Sequence, residues 1–467
     1  MEDGIERLDR ERAVNDALEA NRARVPGQLT PRQRIAALAD EGSFLELGSL
    51  TRSQHVEIAD ATPGDGLLTG WASVGGREIA LLVEDPLVLA RTDGQVAKQK
   101  RLRILNTSAA RGTPVVYLAD GPEAGLATFP AAQGDLFGFM GRQWPEPAAG
   151  TFAAPFVTAV LGPCFGRAAE LAVASDLVVA SPVGRVGLRP RALDGGGGTA
   201  LIDCVRADDA AVIAVVRDVL IAAPAGAEGP VVRGPAAPPP VPLADELSPD
   251  PAIGVLVDGL FDEGSVILLR AAEHFASGFA ALDGHRVVFA VTGGPAPTVL
   301  SAADVRAVGR VGRLSRRLRM PIVLMQNTDG YDPAAHSDQA FLTEMGRALE
   351  ELRTTWAPKL CLVAGHGHVL GTFVMGGRQL GMDYIVALPS AQVAPLDVPV
   401  YCPGAPGTPV VEGPWVAAGL GHVDEVVAPS EARQQLSTFI EILHEGRSLP
   451  PPEVDRRGRY VDEIPKV

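Results

Sequence analysis

Short aliphatic runs separated by longer amphipathic stretches set the rhythm of this chain. After Gly66, apolar runs at 79–83, 115–118, 156–161 and 177–180 alternate with Ala- and Arg-rich segments of helical character at 95–110 and 166–174. Strand, helix, strand, helix predicts an α/β arrangement with helices packed on a sheet. The order returns downstream, with strands near 287–291, 321–325, 359–363 and 384–388 and helices near 302–318, 338–355 and 372–380. Upstream, residues 5–23 set Ile5, Leu8, Val14, Leu18 and Ala20 at helical spacing. Thr30-Pro31-Arg32-Gln33 then supplies an N-cap, a first-turn proline and a polar turn before Ile35-Ala36-Ala37-Leu38. At the far end, residues 429–446 predict a helix with Ser430 as its N-cap, followed by a surface tail rich in Pro and charge.

The return is also one of residues. Asp40-Glu41-Gly42-Ser43 recurs as Asp262-Glu263-Gly264-Ser265, and Gly76-Arg77 before an aliphatic run recurs as Gly284-His285. Thr113-Pro114-Val115-Val116 matches Met320-Pro321-Ile322-Val323, and Asp176-Leu177-Val178-Val179 matches Asp383-Tyr384-Ile385-Val386, at a separation of about 207 residues. A period that long makes each copy a whole domain. Between Ala222 and Pro251 the composition turns to Pro, Ala, Gly and Glu, which predicts an extended or mobile linker. The division is therefore a domain at 1–222, a linker at 223–251 and a like domain at 252–467. Two like domains imply a site shared between two like surfaces.

An apolar fraction of 46% in 467 residues is ample for two cores, while no apolar run reaches the length of a membrane span. A formal charge of −15 without a run of Lys or Arg argues against nucleic acid and anionic membranes as partners. The charged N-terminus has no signal-peptide character, so the chain is placed in the cytoplasm. Cys164, Cys204, Cys361 and Cys402 form no Cys-x-x-Cys pair, and are expected as reduced, buried thiols.

Candidate chemistry sits in the turns. Gly162-Pro163-Cys164-Phe165-Gly166-Arg167 follows the strand at 156–161 and precedes an Ala-rich helix, so first-turn amides would sit at the carboxyl end of the sheet, able to hold a developing negative charge. Its sister is placed at Gly367-His368-Val369-Leu370-Gly371-Thr372-Phe373. Phosphate-loop, Gly-x-Ser-x-Gly and His-Glu-x-x-His patterns are all missing. His366 and His368, spaced i, i+2, suit a strand edge. With no cysteine or carboxylate beside them in sequence, no metal is expected. Gly195-Gly196-Gly197-Gly198 reads as a flexible loop. Lys98, Lys100, Arg101 and Arg103 form a basic cluster, ordinarily a solvated face, that near a ligand mouth would receive phosphates. Asn327-Thr328-Asp329-Gly330-Tyr331 reads as a turn after a strand.

Together these residues resemble the carboxyltransferase (β) subunit of biotin-dependent acyl-CoA carboxylases of the propionyl-CoA type, a family of two crotonase-like (ββα spiral) domains. Residues 27–47 are similar to its opening "GKLTARERI…LLDxGSFxEL", Gly162-Pro163-Cys164 to "GPCAGG", and Asp329-Gly330-Tyr331 to "DTPGF". Leu388-Pro389-Ser390-Ala391 is similar to "WPTA", and a gapless count back lays Val369-Leu370-Gly371-Thr372 on "GGAY". The resemblance implies carboxyl transfer from carboxybiotin, on a biotin carboxylase and carrier partner, to the α-carbon of an acyl-CoA, without a metal. The Gly166 and Arg167 amides would hold the thioester enolate, and those of Leu370 and Gly371 the ureido oxygen. Lys100, Ala124, Gly125, Gly330, Tyr331, Thr372 and Phe373 would line the substrate. Facing domains come from different subunits, which implies a homo-oligomer, a dimer or a hexamer.

The chain departs from the family's pattern in its ligand loops. Arg167 replaces the second glycine of "CAGG", and "SGGAR" becomes Gly121-Pro122-Glu123-Ala124-Gly125. Val369 and Leu370 stand at the glycines of "GGAY", and Phe373 at an aspartate linked with substrate choice. Two alternatives follow: a biotin-independent decarboxylase of a malonyl-type thioester or acid, with Arg167 pairing the carboxylate, or a non-catalytic carboxylase paralogue.

Overall fold

The computed structural model describes residues 5–6, 28–54, 56, 59–86, 88, 95–121, 154–187, 201–223, 233–294, 298–331, 339–368, 374–394 and 413–446. Within them, the two halves build the same sheet. In the first, β1 (Leu45–Glu46), β2 (Leu67–Val74), β3 (Arg77–Glu84), β4 (Val115–Ala119), β5 (Phe156–Val160), β7 (Leu177–Ala180) and β9 (Cys204–Val205) lie side by side in that order. The pairing is antiparallel up to β3 and parallel beyond it. A small separate ribbon pairs β6 (Pro163–Phe165) with β8 (Arg185–Gly187).

In the second half, β10 (Ile267–Ala271), β11 (Phe275–Leu282), β12 (His285–Thr292), β14 (Ile322–Tyr331), β15 (Lys359–His368), β16 (Tyr384–Ala387) and β18 (Glu425–Val426) repeat the order. Two short strands, β13 (Thr298–Leu300) and β17 (Gln392–Ala394), flank the ends of β14 and β15. The duplicated α/β architecture expected from the sequence is present.

The helices are α1 (Pro31–Leu38), α2 (Gln95–Arg111), α3 (Arg167–Ala174), α4 (Asp209–Ala222), α5 (Ile253–Leu260), α6 (Ala302–Leu318), α7 (Gln339–Thr354), α8 (Pro414–Gly419) and α9 (Pro429–Gly446). The opening helix begins as its sequence dictates. Thr30 Oγ1 accepts the Gln33 N–H, the Gln33 side chain accepts the Thr30 N–H, and Pro31 sits where no intrahelical donor is needed.

Repeated residues prove to be joints. Asp40 accepts the amides of Gly75 and Gly76 at the β2–β3 turn and pairs with Arg217 of α4. Asp262 does the same for Asp283 and Gly284 at the β11–β12 turn and for Arg433 of α9. Asp176 and Asp383 likewise accept the amides that open β5 and β15, from Phe156 and Lys359. Charge-assisted bonds of this kind are about twice as strong as neutral ones, and in both halves they fix a turn or a strand entry.

Leu81, Val83, Val116 and Leu118 pack on one face of the first sheet in an apolar body that includes α4 and runs on through α6 of the second half. Along the junction α6 presents a row of arginines. Arg310 holds both oxygens of Asp203 at 2.7 and 2.8 Å, Arg317 Nε reaches Asp176 at 2.9 Å, and Arg313 donates to the Ser175 carbonyl.

Two expectations need correction. The Pro-rich segment is extended over its described part, where Leu243 is buried in the second core and Asp245 accepts the Ser430 N–H. Asp245 thereby caps α9, which starts at Pro429, so Ser430 is a first-turn residue and not the N-cap. Residues 374–380 do not form one helix, because Gly376 adopts φ +124° and only a 3-10 turn, Arg378–Leu380, follows. Of the predicted helix at 5–23 only residues 5–6 are described, and Gly195–Gly198 and Cys402 lie outside the described residues.

Candidate active site

At the carboxyl edge of the first sheet the chain leaves β5, forms β6 and turns into α3 at Gly166. Gly166 has φ +59° and ψ −118°, a conformation that favours glycine, and a Cβ built there would meet nothing within 4 Å. Its own N–H donates to the Gly187 carbonyl at 3.1 Å, so that amide is committed to the ribbon and does not face a ligand. The first i→i−4 bond of the helix is made by Glu170 to Gly166, which leaves the first-turn amides of Arg167, Ala168 and Ala169 without an intrahelical acceptor.

Behind this turn lies a buried polar assembly that the sequence reading missed. Arg34 of α1, 1% exposed, donates to Asp209 of α4 through Nε at 3.0 Å and Nη2 at 2.9 Å, and Nη2 lies 2.9 Å from Asp120 at the end of β4. Asp120 in turn stands where Gly162 has no side chain, since a Cβ there would fall 2.0 Å from Asp120 Oδ1. The clamp thus runs from α1 through Asp120 to the segment that carries Gly166. On the other face of β3 and β4, Glu84 accepts the Tyr117 hydroxyl at 2.5 Å and the Asp120 N–H at 3.0 Å. Burial, and then the Glu84 carboxylate, push the Tyr117 phenol well above its ordinary range. A carboxylate or arginine falling on a core-facing position at a strand or helix end was the available signal.

The basic cluster is not a solvated face. Lys98, Lys100 and Arg101 are buried. Lys100 Nζ is within reach of the Leu67, Gly64 and Gly48 carbonyls at 2.5, 3.1 and 3.4 Å, which accounts for its three donors. Burial, partly offset by Glu46 and Asp65, lowers its pKa to about 8. Its stem lines a cavity of 240 Å³ with Gln99 and Arg103, but its charge points inward, so it ties α2 to the loops at Gly48 and Gly64 instead of receiving phosphate. Cys164, Cys204 and Cys361 are buried free thiols as expected, and burial lifts the last two to about 11 and about 12.

The second edge repeats the design with different side chains. His366 and His368 pair with Gln392 and Ala394 as Pro163 and Phe165 pair with Arg185 and Gly187. A Cβ on Gly365 would lie 2.5 Å from Asn327 Oδ1, matching Gly162 against Asp120. The structural counterpart of Gly162 is therefore Gly365, not Gly367, and by the same count position 369 answers Gly166 and position 370 answers Arg167. Asp329, Gly330 and Tyr331 form the end of β14 and not a turn. The fold sets Asp329 beside both histidines, with Oδ1 2.9 Å from Nδ1 of each. The carboxylate missing from their sequence neighbourhood is thus supplied by the adjacent strand. Burial raises the Asp329 carboxyl, but the two imidazoles outweigh it and hold the group well below the usual range. Ala124, Gly125, Leu370, Gly371, Thr372 and Phe373 lie outside the described residues.

The chain matches the carboxyl transferase domain over residues 22–185 and 198–398. It is similar to the biotin-dependent long chain acyl-coenzyme A carboxylase beta4 subunit of Mycobacterium tuberculosis, with 26% identity covering 89% of this chain and 88% of that protein. The propionyl-CoA carboxylase beta chain of Roseobacter denitrificans is 24% identical over 96% of this chain and 98% of its own length. Among solved structures, transcarboxylase 12S, a hexamer with methylmalonyl-coenzyme A and methylmalonic acid bound, shares the fold with a TM-score of 0.79 at 18% identity, covering 97% of this chain and 98% of that one. Among the described residues no helix is long and apolar enough to cross a membrane.

Proposed function

This chain belongs to the carboxyl transferase domain family, and on that premise we propose that it moves a carboxyl group from carboxybiotin to the α-carbon of an acyl-CoA. The observation that carries the reading is the Gly166 turn: open space over a glycine-favouring backbone, with first-turn amides of α3 at the carboxyl edge of the first sheet. Carboxybiotin, carried by a biotin carboxylase and carrier partner, supplies CO₂ and a ureido group basic enough to take the α-proton.

The chain's own task is to hold negative charge. The Arg167 N–H at the head of α3 stabilises the enolate oxygen of the thioester, and a preorganised donor of this type contributes about 3–4 kcal/mol to a transition state. On the second half the amide of Leu370, counterpart of Arg167, receives the ureido oxygen with Gly371 beside it. Ala124, Gly125, Gly330, Tyr331, Thr372 and Phe373 border the two ligands. On this reading each half contributes one cradle, the working unit brings the first half of one copy against the second half of another, and a dimer is the least assembly that acts.

The test incubates the purified protein with acetyl-, propionyl-, malonyl- and methylmalonyl-CoA, with and without a carboxybiotinylated carrier, and follows thioester products and CO₂. Carboxylated thioester formed only with the carrier is the expected result. CO₂ release from malonyl-type thioesters without biotin, abolished by Arg167→Gly, would replace this reading with decarboxylation. No turnover in either arm refutes catalysis of both kinds.

A further inference from the structure

The edge of the second sheet holds side chains that carboxyl transfer does not use. His366 and His368 are two residues apart at the end of β15. Asp329 continues the alternation of Val323 and Met325 on β14 and meets them from the adjacent strand. One donor atom from each of the three residues lies within 4.8 Å of the others. The ring centroids are 5.3 Å apart and tilted by 57°, so the imidazoles converge instead of stacking. Only His366 makes a hydrogen bond to the carboxylate. His368 Nδ1 is buried and 2.9 Å from the same oxygen, in ion-pair contact but outside good hydrogen-bond geometry.

Three ligand atoms that converge on one point, with a single carboxylate oxygen shared between two imidazoles, are what a cation would satisfy. A tetrahedral ion with bonds of about 2.1 Å sets its donors about 3.4 Å apart, a spacing these side chains reach by small rotations. The surroundings also suit ligation. His366 Nε2 lies 3.9 Å from Asp250 Oδ1. Asn327, fully buried, holds that carboxylate through Nδ2 at 3.3 Å and accepts the His366 N–H through Oδ1 at 2.8 Å. A carboxylate hydrogen-bonded to the far ring nitrogen is the usual means of orienting a metal-bound imidazole, and at 3.9 Å Asp250 stands just beyond that reach.

We propose that Asp329, His366 and His368 form a binding site for a divalent transition-metal ion of the zinc class. Two imidazoles and one carboxylate disfavour Mg²⁺ and Ca²⁺, which take oxygen ligands. With three protein ligands a tetrahedral ion keeps its fourth position open. The site stands apart from the proposed carboxyl transfer, because ion binding is read without any thioester or biotin.

The experiment uses the full, untagged chain, stripped with a chelator and dialysed against micromolar Zn²⁺ or Co²⁺. The expected result is about one ion per chain by elemental analysis, with visible Co²⁺ absorption bands of a nitrogen- and oxygen-ligated ion that Zn²⁺ displaces. His366→Gln and His368→Gln should remove stoichiometric binding while far-UV circular dichroism stays that of the parent, and Asp250→Asn should weaken it about tenfold. A parent chain that retains no Zn²⁺ after dialysis overturns the proposal. So does binding that persists unchanged in the folded His366→Gln, His368→Gln double variant.

Discussion

Replacing Arg34 with methionine is the sharpest perturbation of the scaffold. The guanidinium is 1% exposed and lies 2.9 Å from a carboxylate oxygen of each of Asp120 and Asp209, themselves 3% and 1% exposed. Methionine fills much of the same space, so the effect is electrostatic: two buried carboxylates lose the cation they share. Breaking a buried pair from one side costs about 3–5 kcal/mol, roughly 150-fold to 5,000-fold in the folding equilibrium. Urea titration followed by circular dichroism should show the midpoint falling with the slope unchanged. Asp209→Asn in the Arg34→Met background should cost far less than it does in the parent, because the carboxylate it removes has already lost its partner. A loss below about 1 kcal/mol for Arg34→Met, or strict additivity with Asp209→Asn, would refute the reasoning.

Gly166→Ala should lose about 1–3 kcal/mol through backbone strain alone, because the new Cβ has open space; unchanged urea stability would show that the turn tolerates a side chain. Lys100, at a pKa of about 8 in the folded chain against 10.5 unfolded, has released a proton that the unfolded chain still binds between those values. Stability at this site therefore rises with pH from about 8 to about 10.5, by about 3 kcal/mol in all. The slope difference between parent and Lys100→Met over that range measures it, and identical slopes would exclude it. Arg310→Met removes both contacts to Asp203 between the halves and should cost about 3 kcal/mol. Calorimetry should then show separate transitions for the two halves, whereas a single unshifted peak would mean the arginine row is dispensable.

What the sequence disclosed follows from how locally each feature is encoded. The duplication was visible because Asp40 and Asp262 cap a turn that lies within their own half, so acid, glycine and aliphatic run recur in order. The short strands were visible because they are buried on both faces and therefore read as unbroken aliphatic runs. Burial of the basic cluster was not visible: charge on a helix predicts solvent, and only the carbonyls of Gly48, Gly64 and Leu67, brought in from loops, make room for Lys100. A Pro-rich stretch has no periodicity, so its contact with the second core through Leu243 was not legible. The counterpart of Gly162 was displaced by two residues because the count runs back from residues 388–391, whereas β5 and β15 keep one gapless count from Phe156 and Lys359 to Gly162 and Gly365.

An irregular register shapes the second edge: three residues on β14, Gln326 to Thr328, face five on β15, Val363 to Gly367. The wider span carries His366 and His368 to the tip, where Asp329 lies beside both rings. The constellation therefore depends on a backbone feature that no pattern of residue types announces. The first half meets the same edge with Pro163 and Phe165, which offer no ligand atoms. The asymmetry between the two edges is accordingly one of side chains laid on a common backbone, and chemistry peculiar to this chain is to be sought at the second.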